Sequence, residues 1–148
     1  KQPYSHNGFL NLRGIASHAD QLIKEFRVKT PSRDTHAKNL SGGNIQKVVL
    51  AREISRNPRA IVAAQPTRGL DIGATEYVRE QLLVERRKGT AILLISEDLD
   101  EILALSDRIA VLYEGQVMDI VPREKATPEK LGLLMAGVHP EEAAAVIK

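Results

Sequence analysis

The sequence predicts an α/β fold, and three observations lead to that class. Two short apolar runs, residues 60–64 and 90–96, are typical of buried strands, and residues 74–87 between them carry a helical pattern. A strand, a helix and a strand within about 35 residues form a βαβ unit, whose strands run parallel with a right-handed crossover. The composition, with 43% hydrophobic and 27% charged residues in a chain of 148, is that of a globular protein with a core.

The N-terminal part is expected to begin with a loop and continue as two helices. Residues 1–13 carry turn-forming residues and are predicted to be a loop. A helix over residues 15–26 is indicated by apolar residues at helical spacing, namely Ile15, Ala19, Leu22, Ile23 and Phe26. The next helix follows Ser41 and ends before Pro58. Its buried face is predicted to consist of Ile45, Val48, Val49 and Ile54.

The C-terminal part is expected to contain a short helix, a hairpin and a helical tail. The helix is predicted over residues 98–105. The following stretch reads as two strands that turn at Glu114-Gly115, although Asn-Gly or Asp-Gly would be a stronger turn signal. The tail from Pro128 onwards is predicted to be a helix with a loose, alanine-rich end.

Composition and charge exclude several classes of protein. Cysteine is absent, so the chain has no disulfide framework and no thiolate metal site. The apolar runs are far shorter than the roughly 20 residues that span a bilayer. The net charge is only +2 and aromatic residues make up 3%, which does not predict a nucleic-acid surface. The densest basic cluster, residues 86–88, closes a predicted helix and is expected to be a solvated helix end.

Two adjacent glycines, Gly42 and Gly43, stand at the start of the second helix, where each costs about 1 kcal/mol relative to alanine. Ser41 is expected to be the N-cap. Bare backbone here would let an anion, typically phosphate, reach the first N–H groups of the helix. A capped helix with a tight turn explains the same residues. On folding grounds alone, Gly43→Ala is expected to be neutral or stabilising by up to about 1 kcal/mol.

The glycines belong to a pattern of three motifs. They are "LSGGNIQK" at residues 40–47, "PTRGLD" at residues 66–71 and "SDRIAVLYEGQV" at residues 106–117. In this order the motifs resemble the signature, the Walker B end with its D-loop, and the closing hairpin of the ATP-binding cassette (ABC) ATPases, over about residues 9–137. Asn44, the "TRGLD" wording and the "MAG" at Met135 are most similar to the C-terminal cassette of tandem ATPases that drive simple-sugar and nucleoside importers.

The resemblance implies a partial P-loop NTPase fold that lacks its Walker A half. No glycine in the chain is followed by lysine, so the motif G-x-x-x-x-G-K-S/T is absent. Because the family places that loop upstream, we expect an N-terminal truncation. The resemblance further assigns residues 1–39 to part of the helical subdomain, residues 40–137 to the signature helix and the C-terminal part of the ATPase core, and residues 138–148 to a tail.

Three positions depart from the family's catalytic pattern. Where the family has Asp-Glu at the end of the strand, this chain has Ala64 and Gln65, and the family's switch histidine is replaced by Glu97. Alanine offers Mg²⁺ no oxygen, glutamine cannot take the proton of the attacking water, and a carboxylate repels a γ-phosphate. If Gln65 is only a polar residue before a turn, the site is equally inert. We therefore expect no catalytic residue and no metal ligand in this chain.

By the same resemblance, the chain keeps the half-site that one cassette lends to ATP bound on another. The residues implied to contact that nucleotide in trans are Ser41, Gly42, Gly43 and Asn44, beside the D-loop residues Gly69, Leu70 and Asp71. The implied partner is a second cassette, the N-terminal half of the same polypeptide. ATP and Mg²⁺ are expected in the full assembly, whereas the chain alone is expected to bind neither tightly and to be inactive.

The resemblance implies a peripheral protein on the cytoplasmic face of the cell membrane, bound to permease subunits and not to nucleic acid. Two alternatives remain open at this point. One is a non-transport ABC-type ATPase associated with ribosomes or chromosomes, and the other is a regulatory cassette with no nucleotide role. The retained "LSGGN" argues against the second, because a protein with no phosphate to contact could replace both glycines by alanine.

Overall fold

The computed structural model describes residues 4–6 and 8–146, and it divides into two compact units that meet in sequence at Leu93 and Leu94. The helices and strands of the first unit, in chain order, are β1 (Ser5–His6), β2 (Phe9–Leu10), α1 (Leu12–Glu25), α2 (Gly42–Ile54), β3 (Ala60–Ala64), α3 (Ile72–Arg87) and the first part of β4 (Ala91–Ile95), which crosses into the second unit. The predicted boundary between helical subdomain and core at residue 39 stays a prediction.

The N-terminal segment is a short hairpin where a loop was predicted. In β1 and β2, Ser5 pairs with Leu10 and His6 with Phe9 in antiparallel register. Gly8 has a φ of 84°, which a turn between two strands this close requires. Residues 1–3 and 7 of the predicted loop lie outside the described residues. Helix α1 then begins three residues earlier than predicted, because the Asn11 side chain accepts a hydrogen bond from the Gly14 backbone and caps it.

The predicted buried face of α2 is confirmed at Ile54, and Val49 is half-buried, but the rest of the buried face differs. Leu50, Ala51 and Ile54 are buried, whereas the exposed fraction of Ile45 and of Val48 is 39%. At spacings of three and four on the same side lie the half-buried Lys47 and Gly43, which extend this packing stripe towards the N-terminus, and α2 contacts α3. The prediction for Ile45 and Val48 was wrong because it started the stripe at the first large apolar residue and not at the glycine.

The predicted βαβ unit is present. Strands β3 and β4 are neighbours in one sheet, and α3 connects them. The backbone N–H of Ala91, at the start of β4, donates to the carbonyl of Arg59, just before β3. Both strands therefore begin at the same edge and run parallel.

The strands of this sheet are less buried than predicted. In β3 only Ala63 is buried, and the side chains of Val62 and Leu93 are 68% and 59% exposed. Among the described residues, this sheet has two strands, so each has a neighbour on one side alone. Val62 and Leu93 thus form part of an exposed apolar surface.

The second unit continues with α4 (Leu99–Leu105), β5 (Arg108–Tyr113), β6 (Gln116–Pro122), α5 (Pro128–Met135) and α6 (Pro140–Val146). Strands β5 and β6 form the predicted antiparallel hairpin, and the turn residues Glu114 and Gly115 have φ values of 46° and 80°. Positive φ at both positions is the type I′ geometry, which glutamate adopts here in place of the more favourable asparagine. The core of this unit consists of Ile109, Val111, Val121, Ala126, Leu131, Leu134 and Ala143.

The predicted single tail helix is two helices with a break at Gly137. This residue has a φ of 84°, and a β-carbon built on it would lie 2.6 Å from Cε1 of Tyr113. Glycine is therefore needed twice, for the left-handed turn after α5 and for the contact with the Tyr113 ring. These two requirements explain why the third residue of "MAG" is a glycine.

Candidate functional site

Ser41 occupies the N-cap position of α2, but its side chain does not cap the helix. Its backbone is extended, with φ −65° and ψ 157°, and its carbonyl accepts the first intrahelical bond from Ile45. The Ser41 Oγ instead accepts a hydrogen bond of 2.9 Å from Nδ2 of Asn44. The prediction that Ser41 is the N-cap residue is therefore confirmed, but its side chain accepts no hydrogen bond from the N–H groups of the first helical turn.

The two signature glycines differ in what surrounds them. A β-carbon built on Gly42 would meet only Cδ2 of Leu70, at 3.9 Å, an ordinary van der Waals distance. A β-carbon on Gly43 would lie 2.9 Å from Cβ of Ala74 in α3. Gly43 is therefore a packing residue, and this contact argues against the expectation that Gly43→Ala is neutral for folding. Gly42 is the glycine that leaves the helix start open.

Asn44 uses both ends of its amide within the chain. Its Oδ1 accepts a hydrogen bond of 2.8 Å from the backbone N–H of Lys29, which follows the turn after α1. Its Nδ2 donates to Ser41 as described. The side chain predicted to contact nucleotide thus holds two segments of its own chain together.

The D-loop lies against the signature. Gly69 has a φ of 71°, and the N–H of Leu70 donates to the carbonyl of Thr67 at 3.1 Å, which closes the turn. Asp71 is the N-cap of α3, and its Oδ1 accepts a hydrogen bond of 2.8 Å from the N–H of Ala74. Leu70 and Ala74 are also the residues nearest to the two glycines. The structure therefore brings together two motifs that are about 25 residues apart in the sequence.

The residues at the end of β3 do not fit a bound metal ion. Ala64 is the last residue of the strand, and Gln65 follows it with a φ of 48°. Alanine presents a methyl group where the resemblance places a carboxylate, and a hard cation such as Mg²⁺ needs oxygen ligands. Within residues 4–6 and 8–146, no three or more histidine, cysteine, aspartate or glutamate side chains are grouped so that they could hold a metal.

Glu97 lies in the second unit, after β4 and before α4, and its side chain is exposed. The next residue, Asp98, is the N-cap of α4, and its Oδ1 accepts from the backbone N–H groups of Asp100 and Glu101. The surroundings of Glu97 are therefore those of a polar loop that leads into a capped helix.

The sequence did not point to Lys47 and Tyr77, which join α2 to α3 beside the signature. The Lys47 Nζ lies 4.7 Å from the centroid of the Tyr77 ring and 3.2 Å from the carbonyl oxygen of Arg27, to which it donates a hydrogen bond. Partial burial raises the pKa of Tyr77, an effect that the charge of Arg27 opposes. Lys47 lies four residues after Gly43, and that spacing is the signal that could have placed it on the packing stripe.

The basic residues at the end of α3 are exposed, as predicted, but one of them has a buried partner. Glu85 is buried, and its carboxylate accepts hydrogen bonds from Nζ of Lys88 at 2.7 Å and from the hydroxyl of Thr90 at 3.4 Å. The backbone N–H of Thr90 also donates to the carbonyl of Glu85. This cluster fixes the turn between α3 and β4 and explains why a carboxylate is tolerated in the core.

Comparison with known proteins identifies relatives over most of the chain. No protein-family model matches it. The chain is 50% identical over 143 residues to the guanosine import ATP-binding protein NupO of Bacillus subtilis, covering 97% of this chain and 28% of the relative. It is 51% identical over 125 residues to the glucose import ATP-binding protein TsgD13 of Haloferax volcanii, covering 83% and 23%. The chain thus spans about a quarter of the length of these relatives.

The fold has counterparts among solved structures. A dimeric ATP-binding cassette in a post-hydrolysis state, bound to ADP and Pi, superimposes with a TM-score of 0.65 at 24% identity. The superposition covers 80% of this chain and 51% of that one. The fold predicted from the sequence is therefore confirmed as part of a cassette. None of the described helices is long and apolar enough to cross a membrane.

Proposed function

Because this chain is homologous to the ATP-binding proteins of ABC importers and has part of the ABC ATPase fold, we propose that it lends a signature half-site to ATP on a partner cassette. Its contribution is the start of α2 with Ser41 and Gly42, next to the D-loop. The partner is a second cassette, the N-terminal half of the same polypeptide. The assembly imports simple sugars or nucleosides and docks on permease subunits at the cytoplasmic face of the membrane.

One observation carries this proposal: the start of α2 is open to a ligand. Gly42 is exposed, and apart from its chain neighbours and the backbone of its own helix, the nearest atom to a β-carbon built on it is Cδ2 of Leu70 at 3.9 Å. The Ser41 hydroxyl does not accept from the first N–H groups of the helix. These N–H groups, together with the positive end of the helix dipole, suit a phosphate group.

We propose that the chain's own catalytic half-site is silent. Ala64 and Gln65 supply neither a metal ligand nor a group that accepts a proton, and Glu97 adds negative charge where the family has a histidine. The Mg²⁺ and the catalytic residues for the working site would come from the partner cassette. The chain alone would therefore bind ATP weakly and hydrolyse none.

The test is the ATPase activity of the complete importer ATPase with Gly42→Asp and with Gly42→Asn. The two side chains have the same shape and fit the same open space. The carboxylate favours the helix start by about 0.3–1 kcal/mol but repels phosphate, so Gly42→Asp should lose at least about tenfold in kcat without a lower melting temperature. Gly42→Asn should lose less.

A second control separates a general effect of filling a helical glycine from an effect at the signature. Gly132 in α5 is likewise an open position, where a built β-carbon would have no contact within 4 Å outside its own helix backbone and chain neighbours. Gly132→Ala should leave ATPase activity unchanged. If Gly42→Asp retained the parental rate, the signature role of this chain would be wrong.

A further inference from the structure

We propose that Asn44 is a positioning residue that holds the Ser41 hydroxyl as a hydrogen-bond donor towards the phosphate of the partner's ATP. This inference rests on the proposed signature function and replaces the expectation that Asn44 itself contacts the nucleotide. It is carried by two hydrogen bonds, from Asn44 Nδ2 to Ser41 Oγ at 2.9 Å and from the Lys29 N–H to Asn44 Oδ1 at 2.8 Å.

The orientation of the Asn44 amide is fixed by its other partner. A backbone N–H can only donate, so the amide atom facing Lys29 must be the carbonyl oxygen. The amide nitrogen then faces Ser41 and can only donate to it. Lys29 thus determines which end of Asn44 meets the serine, although it lies 15 residues upstream.

This arrangement changes what the Ser41 hydroxyl can offer. A serine at an N-cap ordinarily accepts from an N–H of the first helical turn, which uses its oxygen and one helix donor together. Here the oxygen accepts from Asn44 and makes no side-chain cap bond. The hydroxyl hydrogen is directed away from Asn44, since the amide nitrogen already points at the oxygen lone pair.

Three hydrogen-bond donors therefore remain at the start of α2: the Ser41 hydroxyl and the backbone N–H groups of Gly42 and Gly43. All belong to residues within one turn, so they can converge on one tetrahedral anion. Without Asn44, the serine would be free to turn back and cap its own helix. It would then occupy a backbone N–H of the first turn that the ligand could otherwise use, and its hydroxyl would no longer be held in the same orientation.

A double-mutant cycle in the complete importer ATPase tests this dependence. Ser41→Ala, Asn44→Ala and the double variant are compared by kcat and by KM for ATP. If Asn44 acts through Ser41, each single variant should lower kcat by about tenfold, and the double variant should be no slower than Ser41→Ala. Multiplying losses would overturn the positioning role, because Asn44 would then act independently of the serine.

The same cycle distinguishes this inference from the function on which it rests. If Ser41→Ala keeps the parental kcat, the signature function itself fails, and the inference fails with it. If Ser41→Ala loses activity while Asn44→Ala does not, only the positioning role is wrong.

A structural readout guards against a variant that merely disturbs the fold. Asn44→Asp retains an oxygen for the Lys29 N–H but has no N–H for Ser41, so it should preserve slow amide hydrogen exchange at Lys29 and still lose kcat. Because the carboxylate of Asn44→Asp would itself repel phosphate, the deciding comparison for kcat is Asn44→Ala in the Ser41→Ala background. A further loss of kcat there would overturn the inference.

Discussion

The β-carbon position of Gly43 lies 2.9 Å from Cβ of Ala74, so the first turns of α2 and α3 touch at a point where residue 43 has no side chain. The same two helices meet again one turn further along, where Lys47 lies over the ring of Tyr77. Gly43 is therefore part of the packing stripe of α2. The close contact between the helices offsets the larger conformational entropy that a glycine loses on folding.

We predict that Gly43→Ala destabilises the fold. Two β-carbons cannot approach to 2.9 Å, and neither belongs to a flexible side chain, so the helices must shift at a cost of about 1–3 kcal/mol. The measurement is the free energy of unfolding by urea. In the Ala74→Gly background, which itself costs about 1 kcal/mol, Gly43→Ala should cause no further loss. Equal losses in both backgrounds would contradict the contact.

A second prediction concerns two glycines with similar backbone angles and different neighbours. Gly115 and Gly137 have φ values of 80° and 84°, but only Gly137 has atoms near the position of a β-carbon. Both Gly→Ala variants should lose about 1 kcal/mol from backbone strain. Gly137→Ala should lose more, because the Tyr113 ring must move aside.

The background Tyr113→Ala provides the control for that comparison. With the ring removed, the losses for Gly115→Ala and Gly137→Ala should become equal within error when measured by thermal unfolding. If Gly137→Ala remained the more harmful change, the ring contact would not be its cause.

Restoring the family's residues at the end of β3 should have little effect on transport. In the complete protein, Ala64→Asp with Gln65→Glu rebuilds two positions of a half-site whose third position is still Glu97. If the working site uses the partner's catalytic groups, as proposed, solute uptake should stay within about twofold of the parent. A large gain in ATPase rate would mean that the silence depends on those two positions alone and not on Glu97.

Tyr77 gives a prediction for alkaline pH. Burial is the largest cause that raises the pKa of Tyr77 above its ordinary value, the charge of Arg27 opposes this shift, and Glu80 and Glu25 add to it. The fold therefore favours the neutral phenol, and this contribution is complete below the unfolded value and lost as pH rises through the folded value. Between about pH 9 and 11, Tyr77→Phe should lose less stability than the parent.

The reference for this experiment is the parent chain, measured over the same pH range. Parallel curves for the parent and Tyr77→Phe would contradict the role assigned to the burial of Tyr77.

The elements that could be predicted from the sequence are those with a strong local signal. The bounds of β3 agree with the prediction because Arg59 and Gln65 flank an uninterrupted apolar run. The buried face of α2 could not be predicted in the same way, since a glycine that packs closely has no hydrophobic signature. A prediction based on large apolar residues therefore assigned Ile45 and Val48 to the buried face, although both are exposed.

The same limit applies to the candidate site. The motif alone was enough to select Ser41, Gly42 and Asn44 as candidate site residues. The contacts that distinguish their proposed roles are made with residues distant in the sequence. Nothing in "LSGGN" indicates that Lys29 holds the asparagine, because a backbone N–H is present at almost every residue and leaves no trace in the sequence. Similarly, Leu70 lies beside Gly42 only because the turn before α3 brings it there.

The two-stranded sheet has a consequence for the behaviour of this chain in solution. Val62 on β3 and Leu93 on β4 are mostly exposed, and each strand has one edge without a hydrogen-bonded neighbour among the described residues. Open strand edges with apolar side chains promote self-association. Purified alone, the chain should scatter more light per unit concentration as its concentration rises, and Val62→Lys should suppress that rise. Colloidal stability, rather than thermodynamic stability, would then limit its handling.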